Sequence, residues 1–136
     1  MKNRFTKVLK VAVSFVFVVW TLSFSAAAQD SLAVKKYTYT PQKFERKMQR
    51  RHVQVLDVRT EKEYNEGHRP GALLIDVQQP DFTEKMQQLD KNKTYLIYCR
   101  SGRRSEKALK LLHKGGFSKT YHLKGGYLNW KGEKTQ

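Results

Sequence analysis

The stretch Thr94–Lys114, TYLIYCRSGRRSEKALKLLHK, changes its hydrophobic pattern at a single cysteine. Thr94–Tyr98 is a short apolar run of the kind that forms a buried strand. Ser105–Lys114 places its apolar side chains on one side of a helix and its lysines on the other. Cys99, the only cysteine of the 136 residues, therefore lies between the end of a strand and the beginning of a helix.

Strands and helices also alternate on both sides of this stretch. Alternation of this kind predicts a parallel sheet with helices on both faces. Binding sites in such sheets lie beyond the carboxyl ends of the strands, so we expect Asp57, Arg59, Cys99 and Gly125-Gly126 at one edge. The predicted strands are Tyr37–Tyr39, Val53–Val58, Ala72–Val77, Thr94–Tyr98 and Thr120–Leu123, and the predicted helices begin at Thr40-Pro41, at the capping-box sequence Thr60–Glu63, near Asp81 and at Ser105.

The loop after Cys99 combines a nucleophile with a cradle for an anion. The first turn of the following helix presents unpaired N–H groups and the positive end of its dipole, which favour a thiolate. Gly102 allows successive backbone N–H groups to point inward. Three arginines, Arg100, Arg103 and Arg104, add positive charge within five residues of the cysteine. The alternative is a buried, inert cysteine with a purely structural role. The position of Cys99 between the end of a strand and the beginning of a helix argues against it.

Three ordered segments carry a resemblance to a known family: YCRSGRRS (Tyr98–Ser105), LDVRTEKEYNEGHRPGALLIDV (Leu56–Val77) and LKGGYLNW (Leu123–Trp130). They resemble the active-site loop, the upstream signature and the C-terminal signature of the rhodaneses, the thiosulfate and related sulfurtransferases. The resemblance covers residues 37–130 and implies a three-layer α/β rhodanese-like fold, with a parallel five-stranded sheet and helices on both faces.

The resemblance implies sulfur transfer through a persulfide on Cys99. It gives the loop residues Arg100, Ser101, Gly102, Arg103, Arg104 and Ser105 as the anion cradle. The expected partners are an anionic donor such as thiosulfate and a thiol or cyanide acceptor, with no nucleic acid, metal or organic cofactor. Three alternatives stay open: a non-catalytic binding or sulfur-carrier module, a phosphatase or arsenate reductase, and a basic nucleic-acid binder, which the export signal and the absence of an aromatic-basic motif disfavour. The related phosphatases carry arginine six residues after the cysteine, where this chain has Ser105, so the loop is one residue shorter.

Other polar residues of the signatures are expected to support the site. Asp57 and Arg59 predict an ion pair that braces this edge of the sheet, with Glu63 as a candidate partner of Arg59. His68 is expected to be structural, and Arg69 stands where family members commonly have an aliphatic residue. We expect His52, His113 and His122 at the surface or in turns, because their spacing does not suit a metal site.

The N-terminus has the pattern of an export signal. Four basic residues precede the apolar run Val11–Phe24, and small residues end at Ala28. We therefore predict a signal peptide at 1–28, a polar lead-in at 29–36, the rhodanese-like domain at 37–132 and a polar tail at 133–136. The protein is expected to be periplasmic or secreted, the alternative being an uncleaved membrane anchor. Without residues 1–28 the formal net charge is +11, which favours anionic ligands.

Overall fold

The computed structural model describes residues 33–136, so the predicted signal peptide lies outside the described residues. Residues 37–136 form a compact unit around one five-stranded parallel sheet. The strand order is β1-β5-β4-β2-β3, which confirms the predicted α/β architecture. The strands are β1 (Thr38–Tyr39), β2 (Val53–Asp57), β3 (Leu73–Leu74), β4 (Thr94–Tyr98) and β5 (Thr120–Leu123), and the helices are α1 (Pro41–Met48), α2 (Glu61–Asn65), α3 (Phe82–Gln87) and α4 (Arg103–Lys114), followed by a 3₁₀ turn at Tyr127–Asn129.

Local chemistry sets the beginnings of the first two helices. Thr40 caps α1, its hydroxyl oxygen accepting from the Lys43 N–H, and Pro41 occupies the first helical position. Thr60 and Glu63 form both hydrogen bonds of the capping box predicted for α2. These two predicted helix starts are confirmed. Short-range hydrogen bonds determine both of them, so the neighbouring residues are sufficient to predict them.

Several predicted boundaries and one predicted cap are wrong, and strands β1 and β2 are each one residue shorter than predicted. The third strand is shorter than Ala72–Val77, because the Asp76 side chain accepts from the Gln78 N–H and turns the chain. Helix α4 begins at Arg103, before the predicted Ser105. Asp81 precedes α3, but its side chain makes an ion pair with Lys85 and caps nothing.

Strand β4 is buried on both faces, as expected for a central parallel strand. Leu96 and Tyr98 belong to the hydrophobic cluster that includes Phe44 of α1. On the same strand, Tyr95 meets Phe117 edge to face, with their ring centroids 5.8 Å apart. No helix within residues 33–136 has the length and apolar character needed to cross a bilayer.

The hydroxyl of Tyr98 connects β4 to two other elements at the carboxyl edge of the sheet. It donates to Asp57 Oδ2 over 2.6 Å and accepts from the Arg69 N–H over 3.1 Å. Burial, and secondarily the Asp57 charge, raises the pKa of Tyr98, so the hydroxyl stays protonated. This one oxygen therefore joins β4, the end of β2 and the turn before β3.

We expect Tyr98→Phe to destabilise the fold by about 1–3 kcal/mol, because it leaves the buried Asp57 oxygen and Arg69 N–H without their shared partner. Tyr95→Phe is the matched control, since that hydroxyl donates only to the Asp90 carbonyl of a partly exposed turn. Urea unfolding of both variants measures the difference. Equal losses of stability would contradict this account of Tyr98.

Candidate active site

Cys99 follows β4 directly, and its side chain is buried, with 1% of the residue exposed. Gly102 adopts a left-handed conformation with φ of 109°, which turns its N–H back toward the cysteine. That N–H donates to Cys99 Sγ over 3.1 Å. Helix α4 begins at the next residue, so its positive end faces the same loop. This arrangement stabilises negative charge on the sulfur.

The turn after β5 holds the Cys99 loop from the other side. The N–H groups of Tyr127 and Leu128 donate to the carbonyl oxygens of Cys99 and Arg100, over 2.8 and 3.0 Å. Gly126 lies against these carbonyls so closely that a Cβ there would overlap the Cys99 oxygen and lie 2.6 Å from the Arg100 carbonyl carbon. The second glycine of the Gly125-Gly126 pair is therefore required for close approach as well as for the turn.

Asp57 and Arg59 form a buried ion pair at the end of β2. The Arg59 backbone N–H and guanidinium donate to the Asp57 carboxylate over 2.6–3.0 Å. Arg59 also donates to the Gly67 carbonyl over 2.8 Å, and its guanidinium lies 4.1 Å from the centre of the Tyr127 ring. The prediction that Glu63 pairs with Arg59 is wrong, because the Arg59 guanidinium donates hydrogen bonds to Asp57 instead.

Glu63 instead pairs with Arg104, the arginine nearest the phosphatase position. Arg104 Nη1 and Nη2 each lie 2.7 Å from a Glu63 carboxylate oxygen, and Nη1 also donates to Gln78 Oε1. The Arg104 hydrogen bonds lower the pKa of Glu63 to about 2. Arg104 is therefore held by α2 and the chain after β3, and its charge is largely compensated.

Arg100 and Arg103 have a different environment. Both side chains are exposed, and neither makes an ion pair with any residue of the described part of the chain. Arg103 lines a cleft of about 410 Å³ together with Ser101, Arg104 and Lys107. Of the three arginines predicted to hold an anion, Arg100 and Arg103 are thus the two with guanidinium groups available to a ligand.

His122 lies beneath the loop, and its prediction as a surface or turn residue is wrong. Its ring bridges Thr38 Oγ1 at 2.8 Å and Ser105 Oγ at 3.3 Å, and Ser105 Oγ donates to the Gly102 carbonyl. Burial lowers the pKa of His122, which keeps the ring neutral. Strand β5 lies between β1 and β4, and this position in the sheet, which the neighbouring residues do not reveal, accounts for the burial of His122.

Two further residues near the turn before β3 have structural positions. Arg69 is buried and does not face water, with its guanidinium stacked 3.6 Å from the centre of the Trp130 ring. His68 stacks on Tyr64, and its Nδ1 lies 3.0 Å from the Tyr64 carbonyl oxygen. Its backbone also pairs with Thr135, which ties residues near the C-terminus to this turn.

Comparison with known proteins gives one consistent family. The model of the rhodanese-like domain matches residues 40–133. The Bacillus subtilis protein named "Putative sulfurtransferase YtwF" is 43% identical over 79 residues, which are 58% of this chain and 74% of that protein. A tRNA uridine(34) hydroxylase of Cytophaga hutchinsonii is 39% identical over 93 residues, but this chain spans only 30% of it. A rhodanese-like domain protein from Staphylococcus aureus superposes with a TM-score of 0.63 at 30% identity, covering 71% of this chain and 92% of that one.

Gly126→Ala is expected to destabilise the protein more than Gly71→Ala and to disturb the Cys99 loop. Both glycines have a left-handed φ, 60° and 72°, but only the Cβ at position 126 meets backbone atoms. Gly71→Ala should cost about 1–2 kcal/mol, the price of a left-handed alanine. Urea unfolding and the rate of Cys99 alkylation by iodoacetamide test both variants. If the two variants behave alike, the close approach at Gly126 is unimportant.

The Glu63–Arg104 pair predicts a component of acid stability. Because the pKa of Glu63 is about 2 in the folded protein and 4.5 ordinarily, the pair stabilises the fold above pH 4.5, and this contribution falls as pH drops toward 2. We expect Glu63→Gln to cost about 1 kcal/mol at pH 7 and progressively less below pH 4.5. Urea unfolding at several pH values measures this, with the exposed Glu84→Gln as control. A constant difference between wild type and Glu63→Gln down to pH 3 would contradict it.

Proposed function

Because the chain belongs to the rhodanese-like domain family, we propose that it is a sulfurtransferase that moves sulfane sulfur through a persulfide on Cys99. The donor is thiosulfate or a similar anionic sulfur compound, and the acceptor is a thiophile. The observation that carries this proposal is the Gly102 N–H, which donates to Cys99 Sγ at the N-terminal end of α4. The same geometry suits the sulfur of a thiolate and the negative charge of a persulfide.

The proposed reaction is a double displacement. The Cys99 thiolate attacks the outer sulfur of thiosulfate, the bond between the two sulfurs of the donor breaks, and sulfite leaves with that electron pair. Cys99 then carries the persulfide. An acceptor thiolate or cyanide attacks its outer sulfur, and the Cys99 thiolate is released. No net oxidant or reductant is consumed, and a thiolate that is already formed requires no general base.

The exposed arginines supply the contact to the donor in this proposal. Arg100 and Arg103 are on the loop and at the first position of α4, and neither is paired with an acid of the described chain. Guanidinium groups suit the paired oxygens of a sulfonate. Arg104 has the weaker claim, because Glu63 holds its guanidinium. We therefore assign the donor sulfonate to Arg100 and Arg103, with loop N–H groups beneath it.

The loop argues against the phosphatase alternative. The residue six after Cys99 is Ser105, whose hydroxyl donates to the Gly102 carbonyl and is buried next to His122. The chain therefore has serine, and no guanidinium, at the sequence position where the related phosphatases have their arginine. We further propose that residues 1–28 direct export and are removed after Ala28, which puts the activity in a periplasmic or extracellular setting.

Incubation of the wild type with thiosulfate should add about one sulfur atom of mass on Cys99, the only thiol of the chain. Cys99→Ser should gain no mass and form no thiocyanate from thiosulfate and cyanide. Intact-mass spectrometry and the thiocyanate assay measure the two results. The control is wild type treated with sulfate, which has no sulfane sulfur. Thiocyanate formation by Cys99→Ser at the wild-type rate would sink the proposal.

A further inference from the structure

Leu128 is an exposed apolar side chain at the rim of the Cys99 loop. It is 66% exposed, the larger exposure of the two exposed large hydrophobic residues in the part of the chain that the structure describes. Its backbone N–H donates to the Arg100 carbonyl over 3.0 Å, so its position is fixed relative to the loop. The fold does not need this side chain, since little of it is buried. An exposed apolar side chain that is fixed at the mouth of a reactive site offers a partner protein an apolar contact next to the reacting atom.

A basic stripe on α4 begins at the same loop. Arg103, Lys107, Lys110 and Lys114 are spaced four, three and four residues apart, so they lie on one face of the helix. Glu106 is the acid beside this stripe, and it lies 3.6 Å from Lys110. Arg103 and Lys107 line two adjoining clefts, of about 410 and 390 Å³. Positive charge thus extends from the loop along the helix, well beyond what a small dianion contacts.

The turn that carries Leu128 and the beginning of α4 flank the loop together. A Cβ on Gly102 would lie 3.6 Å from the Gly125 backbone nitrogen, which shows how closely the turn approaches the residue before α4. The loop between them holds Arg100 and the buried Cys99. We call the surface formed by Leu128, Arg100, Arg103 and Lys107 the docking face.

We propose that the docking face binds the sulfur acceptor, and that this acceptor is a protein whose reactive cysteine lies among apolar and acidic residues. The inference rests on the proposed function and names its acceptor class. Cys99 is buried, so the outer sulfur of its persulfide is the atom that a partner reaches. A cyanide ion or a small thiol uses neither Leu128 nor the stripe, whereas a protein surface contacts both.

The transfer step balances without a further reagent. The acceptor cysteine, as thiolate, attacks the outer sulfur of the Cys99 persulfide. The S–S bond to Cys99 breaks, the Cys99 thiolate leaves, and the acceptor becomes the persulfide. Complementary charge mainly raises the association rate, and a small apolar anchor supports a short-lived complex, which suits a step that must end in release.

The test uses two synthetic peptides, each with one cysteine. In the first, leucine and glutamate residues flank the cysteine, and in the second, glycine and serine residues do. Wild type and variants are first loaded with thiosulfate, or with polysulfide, and loading is measured by intact mass. The rate of sulfur transfer to each peptide is then followed by mass spectrometry. Failure to load Cys99 would refute the proposed function itself, which separates that outcome from failure of docking.

We expect Leu128→Ser to slow transfer to the acidic, apolar peptide by roughly tenfold, with less than about a twofold change for the neutral peptide. Leu73→Ser is the matched control, because Leu73 is the other exposed large hydrophobic residue and lies on β3, at the edge of the sheet.

The double variant Lys107→Gln/Lys110→Gln should reduce the rate of transfer to the acidic peptide by roughly fivefold at low ionic strength and by less as salt rises. Its control is the double variant Lys91→Gln/Lys93→Gln, which removes the same number of positive charges from the segment before β4.

Three outcomes would refute the proposal that the docking face binds the acceptor. One is equal loss with both peptides for Leu128→Ser, which would indicate a disturbed loop. Another is an effect of Leu73→Ser or of the Lys91 and Lys93 double variant as large as that of its counterpart, which would indicate general attraction by the protein surface. The third is no preference of the loaded wild type for the acidic, apolar peptide over the neutral one.

Discussion

The Asp57 carboxylate is the interaction on which the carboxyl edge of the sheet depends. It is fully buried and accepts hydrogen bonds from the Arg59 backbone, the Arg59 guanidinium and the Tyr98 hydroxyl. A buried carboxylate tolerates little displacement, because loss of one partner of such a pair costs about 3–5 kcal/mol. Through these bonds the end of β2 fixes Tyr98, the residue immediately before Cys99. The position of Cys99 is thus linked to an ion pair at the end of the neighbouring strand β2.

Hydrogen bonds to its backbone carbonyls hold the Cys99 loop on both of its sides. Tyr127 and Leu128 donate to the carbonyls of Cys99 and Arg100, while the Gly102 carbonyl accepts from the Ser105 hydroxyl. With the carbonyls engaged outward, the N–H of Gly102 points to the sulfur. The loop directs the Gly102 N–H to the sulfur, while the carbonyls of Cys99, Arg100 and Gly102 accept hydrogen bonds from other groups. In the proposed reaction, this arrangement needs no change when negative charge moves between the sulfur of Cys99 and the outer sulfur of a persulfide.

The sequence predicts those parts of the site that short-range patterns determine. The capping box at Thr60, the strand before Cys99 and the glycine pair after β5 all follow from neighbouring residues. The wrong assignments concern contacts between distant residues. Glu63 pairs with Arg104, 41 residues further along the chain, Arg69 stacks on Trp130, and His122 is buried where β5 lies between β1 and β4. Nothing near these residues in the chain specifies a partner, since each pairing is created by the order of the strands.

The arginines at the carboxyl edge of the sheet have three different environments. Arg59 and Arg69 are buried, and the packing of aromatic rings and Asp57 accounts for them. Arg104 is half-buried and compensated by Glu63. Arg100 and Arg103 are exposed, and the fold gives them no acid. The net charge of the chain does not distinguish these three groups of arginines. Their burial and pairing nevertheless decide which arginines are accessible to a ligand. Exposed, unpaired guanidinium groups beside a buried thiol contribute little to folding, and they support the proposed binding of an anionic sulfur donor.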